Sequence, residues 1–67
     1  MNIHLRVDAI DLLDVHFTMF ESDTECGQLV MCRTSFRMFA TRLCKSAAFY
    51  ATVTRDGQRF DLDDLTE

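Results

Sequence analysis

The side chains with the most chemistry in reach are three cysteines, Cys26, Cys32 and Cys44, and two histidines, His4 and His16. A structural zinc site takes four such ligands, and closely spaced Cys-x-x-Cys pairs bring them together. Here five residues separate Cys26 from Cys32 and eleven separate Cys32 from Cys44, so no pair has that spacing. Cys32 falls within a strand pattern and Cys44 within a helical one beside Leu43. Both are expected to serve as small apolar core residues, the usual fate of free cysteine. Cys26 lies in the polar stretch "SDTECG" and is expected to be the most exposed thiol.

Other constellations carry less. His16 with Asp14 resembles a base and its orienting carboxylate, but no nucleophile stands in a fixed relation to them. Ser22, Ser35 and Ser46 lack a nucleophile-elbow context. Asp61, Asp63 and Asp64 offer oxygens to a divalent cation without the loop grammar that would wrap one. Two isolated glycines build no phosphate loop. A chain of 67 residues also has little room for a pocket that hides a substrate. The expectation is a non-catalytic protein without metal or cofactor.

Whatever surface remains must be positioned by a small core, because a chain this short buries only about 60% of its unfolded surface. The hydrophobic fraction of 48% suffices for one small domain spanning residues 1–67. Asp8, Asp11 and Asp14 interrupt any signal-peptide core in the first twenty residues, and no run suits a membrane span. An odd number of cysteines does not suit a secreted disulfide scaffold. A reduced, cytoplasmic protein is expected.

Periodicity supplies the elements. In "NIHLRVD", Ile3, Leu5 and Val7 alternate with His4 and Arg6, a half-buried strand. Residues 8–21 fit both a helical stripe and an alternating strand; a turn or short helix over 8–13 and a strand over 14–21 is the preferred reading. "SDTECG" then reads as a hairpin loop, with Gly27 available for a positive φ. "QLVMCR" has apolar residues on both sides and predicts a strand covered on both faces. Phe36, Phe39, Ala40, Leu43 and Ala47 form one helical stripe, with Thr34 or Ser35 as N-cap and Arg42 and Lys45 at the cation-favouring end. Asp56-Gly57 marks a two-residue turn in a closing hairpin, Phe60 and Leu62 lying on the return strand. The acidic tail 63–67 is expected to fray. The predicted fold class is therefore α+β: a small, single-layer, mainly antiparallel β-sheet with one amphipathic helix, about 34–46, packed on one face.

That arrangement assigns faces. Ile3, Leu5, Val7, Val15, Phe17, Met19, Leu29, Met31, Phe49, Ala51 and Val53 belong under the helix. His16, Thr18, Phe20, Val30, Cys32 and Tyr50 fall on the side with no second helix to cover it. Phe20, Val30 and Tyr50 are then a candidate apolar contact patch. Charge supplies a second candidate surface. Residues 33–45 carry Arg33, Arg37, Arg42 and Lys45 and no acid, while acids dominate both flanking segments of a chain whose net charge is −4. Arg37, Arg42 and Lys45 on the helix, and Asp61, Asp63 and Asp64 in the tail, are candidate partner-binding residues.

The expected function is a small protein-binding module that acts by occluding a protein partner, with a homodimer as one form. In size and acidity the chain resembles phage- or mobile-element-encoded inhibitors of host machinery, anti-CRISPR proteins among them; no motif carries that likeness. The alternative is a nucleic-acid- or metal-binding module using the basic helix 33–45 or the Cys and His residues. The net negative charge makes direct nucleic-acid binding the weaker of the two, since such binding depends on neutralising phosphates.

Overall fold

The computed structural model describes residues 1–65. Strands β1 (Asn2–Ile10), β2 (Asp14–Glu21) and β3 (Thr24–Cys32) form an antiparallel meander. Helix α1 (Arg33–Lys45) then crosses back, and β4 (Tyr50–Arg55) pairs parallel with β1 before turning into β5 (Gln58–Arg59). A 3-10 turn, α2 (Leu62–Leu65), closes the described chain. The strand order is β3-β2-β1-β4-β5, a mixed sheet in which only the β1–β4 pair is parallel. The fold is α+β, with the helix against one face of a mainly antiparallel sheet.

The ambiguous segment 8–21 is strand rather than helix. β1 runs on to Ile10 through a bulge at Asp8, where its pairing with β2 shifts by one residue. The bulge keeps Ile10, opposite Val15, on the same side as Val7. The following loop is also tighter than the sequence suggests. Ser22 (φ 48°) and Asp23 (φ 69°) form the turn on their own, and Thr24 is already in β3. Two consecutive positive φ angles match the right-handed strand twist, and a short polar side chain tolerates them without glycine. Cys26 is the extra residue of a second bulge, between the Phe20–Glu25 and Met19–Gly27 pairs. Asp56 (φ 54°) and Gly57 (φ 79°) make the expected turn between β4 and β5.

Under the helix, Ile3, Leu5, Val7, Val15, Phe17 and Val53 are buried, as their alternation predicts. α1 starts one residue early. Cys32 is its N-cap, not Thr34 or Ser35, and no side chain caps it. Its anchors are Phe36 and Ala40, both fully buried, whereas Phe39 is only half-buried. The Phe36 ring meets Phe17 at 4.8 Å between centroids, and Phe39 meets Phe17 at 6.2 Å. Burying each large apolar side chain contributes about 1.5–3 kcal/mol. Ala47 lies beyond the helix and is exposed.

The return strand ends sooner than expected. Phe60 still donates to Val53, but Leu62 has entered α2. Residues 63–65 do not fray: Leu65 is buried in the core, and α2 packs on α1. The rest of that expectation, residues 66–67, lies outside the described residues.

Candidate functional site

β3 is an edge strand, and the exposure of Val30 and Cys32 on its open face overturns the expectation that it is covered on both faces. It pairs only with β2, so its other side meets no strand among the described residues. Arg33 N donates to Leu13 O at 2.9 Å, in the same register that pairs Met31 with Val15 and Leu29 with Phe17. Antiparallel ladders alternate bonded and non-bonded pairs. Met31 and Leu29 therefore bond inward to β2, and Gln28 and Val30 turn their N–H and C=O groups outward; Cys32 turns only its N–H outward, because its C=O, at the N-cap, accepts the first bond of α1. Val30 is 57% and Leu29 38% exposed. No charged residue occurs from Cys26 to Cys32. Protein edges are usually blunted by charge, proline or shortness. The opposite edge is blunted only in part: β5 has two residues, one of them Arg59, and pairs with Thr54 and Arg55 alone.

The open sheet face is more polar than the candidate apolar patch required. Thr18 is fully buried there. Its hydroxyl donates to Asp8 Oδ2 at 2.6 Å and accepts from Arg6 Nη2 at 3.3 Å, while Arg6 Nε reaches Asp8 Oδ1 at 2.8 Å. The bulge at Asp8 lets its carboxylate reach back over Thr18. That hydroxyl first, and the Arg6 guanidinium second, hold the Asp8 carboxyl below its ordinary pKa. Arg6 also lies over the Phe20 ring at 5.2 Å, and His4 stacks on the same ring at 5.5 Å. His4 Nε2 sits 2.6 Å from Thr54 Oγ1. Sequence periodicity places these residues on one face but carries no signal that they close over Thr18.

The sequence-predicted contact residues are thus not brought together as one patch. Phe20 is half-buried between His4 and Arg6. Val30 lies beside His16 on the β3 side, while Tyr50, 70% exposed, lies beside Asn2 on β4. The polar cluster separates them. On the helix, Arg37, Arg42 and Lys45 are exposed, as is Met38. Arg37 Nη2 approaches Asp63 at 3.6 Å, so one basic and one acidic candidate partly neutralise each other within the chain. Asp61 accepts from the Asp63 amide at 2.9 Å and shapes α2; Asp64 is exposed.

All three cysteines are exposed and free, which corrects the expectation that Cys32 and Cys44 fill the core. Cys32 points to the uncovered face at the sheet edge, and Cys44 lies off the buried stripe of α1. At 3.1 Å from Ser35 Oγ, the Cys32 sulfur can accept from that hydroxyl once ionised, and this contact chiefly holds the thiol below its ordinary pKa, with the Ser35 and Thr34 backbone amides adding to it. His16 pairs with Asp11 at 2.8 Å rather than with Asp14. Among the described residues, no three His, Cys, Asp or Glu side chains gather as a metal-ligand set. No described helix is long and apolar enough to cross a membrane. Comparison with known proteins finds no match: no protein-family model, no curated protein and no solved structure is similar to this chain.

Proposed function

We propose that this protein is a non-catalytic protein-binding module that takes a strand of its partner onto the outer edge of β3. The observation that carries this reading is the edge itself: nine residues long, uncharged from Cys26 to Cys32, with Leu29 and Val30 exposed. Strand addition draws affinity from main-chain hydrogen bonds and specificity from alternate side chains. Gln28, Val30 and Cys32 supply the first; Leu29 and Met31 on one face and Val30 on the other supply the second. A module of this size occludes whatever surface the partner's strand belongs to, which is how an inhibitor of the kind its size and charge suggest would work. Three exposed thiols suit a reducing, cytoplasmic setting.

A photo-crosslinking residue at position 30 tests the reading, with the same residue at positions 38 and 50 as controls. An adduct with a protein at 30 alone is expected, and the complex rebuilt with that protein should slow amide exchange at Gln28, Val30 and Cys32. Adducts confined to 38 or 50, or slowed exchange that spares β3, would overturn it.

A further inference from the structure

We infer that the strand taken onto the β3 edge is the β3 of a second copy, paired antiparallel about a two-fold axis through Val30. This rests on the strand-addition reading and names its occupant.

Three observations select a second copy. The outward-bonding residues Gln28, Val30 and Cys32 are symmetric about Val30. A two-fold axis there pairs Val30 with itself and Gln28 with Cys32 of the other copy, giving about four backbone hydrogen bonds, since each Cys32 C=O is already engaged in its own helix. In the same register Leu29 stands opposite Met31 of the other copy, twice, on the face that carries the helices. These are non-hydrogen-bonded pairs, where side chains come closest. The half-exposed Leu29 and Met31 thereby extend the core of each copy across the axis. A parallel pairing of the same two edges would place the copies in non-equivalent registers, whereas this one is isologous.

Charge makes the same choice. The uncharged stretch from Cys26 to Cys32 lets the strand meet its own copy without like charges in opposition. Beyond it, the antiparallel register carries the β2–β3 hairpin tip of one copy past the start of α1 in the other. The tip holds Glu21, Asp23 and Glu25, while the helix start holds Arg33 and Arg37 and has no acidic residue in its first turn. Helix N-termini favour anionic neighbours. The acids of one copy's tip thus meet the cationic start of the other's helix.

Sedimentation of the whole chain across a series from low to high micromolar decides the matter. The wild type is expected to pass from the 7.8 kDa chain to twice that mass. Val30→Lys sets two ammonium groups face to face on the axis and should stay monomeric throughout, with an unchanged circular dichroism spectrum, because Val30 is exposed in the single chain. Tyr50→Lys, at a still more exposed position on β4, should dimerise as the wild type does. Added salt should weaken the wild-type dimer through the hairpin tips. A monomeric wild type at every concentration, a Val30→Lys dimer, or dissociation by Tyr50→Lys would each overturn the inference. If the wild type is monomeric and the crosslinker at position 30 captures a different protein, the dimer is wrong and the binding-module reading stands. If it is monomeric and position 30 captures nothing, both fall.

Discussion

Phe17 and Thr18 are neighbours on β2, point to opposite faces of the sheet, and are sealed from solvent to the same degree, 1% and 0% exposed. The means differ. Phe17 is covered by α1 through Phe36 and Phe39, an apolar closure that needs no particular geometry beyond fit. Thr18 is covered by Arg6 and Asp8, whose charges pair with each other and with its hydroxyl while their outer sides stay in water. A sheet with one helix has only one face to dry. The other can be closed locally by long polar side chains that lie flat across it. The open face is thus structurally occupied, while the outer side of β3 keeps bonding groups that meet no other strand among the described residues.

The largest effect is expected on the dry face. Phe36→Ala should cost about 3–5 kcal/mol, as buried phenylalanine truncations do, and a domain this small holds little more. Thermal unfolding followed by circular dichroism should show the variant largely unfolded at ambient temperature. A melt near the wild-type curve would mean that α1 is not the cover its ring contacts indicate.

On the wet face the cost should be smaller. Thr18→Val keeps the shape and removes the hydroxyl; Arg6 and Asp8 keep each other and water. A loss of about 1–2 kcal/mol in urea unfolding is expected. A loss equal to that of Phe36→Ala would show the polar cluster to be as essential as the core.

The same cluster should give the two faces different acid responses. The Asp8 carboxyl is held below its ordinary value of 3.8 by Thr18 first and Arg6 second. A depressed carboxyl contributes stability that is present above the unfolded value and is lost as pH falls through the folded one. The stability difference between wild type and Asp8→Asn should therefore be constant near neutrality and shrink as pH falls below about 4. A difference that grows on acidification would contradict the cluster.

The smallest effect concerns reactivity rather than stability. In a chain with Cys26 and Cys44 changed to serine, maleimide should modify Cys32 faster with Ser35 present than after Ser35→Ala, since the hydroxyl stabilises the reactive thiolate. Equal rates would separate Ser35 from the thiol in solution.

Much of the fold is legible in residue pattern. Ile3, Leu5 and Val7 alternate strongly enough to place β1, and Phe36, Ala40 and Leu43 place α1 and its inward side. Asp56-Gly57 marks its turn because glycine relieves the positive φ that such a turn demands. The Ser22–Asp23 turn is missed for the converse reason: Gly27 looks like the permissive residue, yet two polar L-residues take the positive φ angles and Gly27 sits in β3. The edge site is only half legible. Val30 stands among the candidate contact residues through its face. Its neighbour Leu29 is assigned to the core, and nothing in "QLVMC" says that one side of the strand meets no other strand.

Alternation and helical stripes are local properties, so the sequence by itself determines which residues share a face and which face the helix covers. Strand order is not local. That β4 pairs parallel with β1, and so leaves β3 at the margin, follows from how far α1 carries the chain back across the sheet. The tertiary structure alone therefore decides that Cys32 and Leu29 are exposed and that Thr18 is buried. An apolar residue on an edge strand has the same periodicity as one in the middle of a sheet, and only the presence or absence of a neighbouring strand separates them.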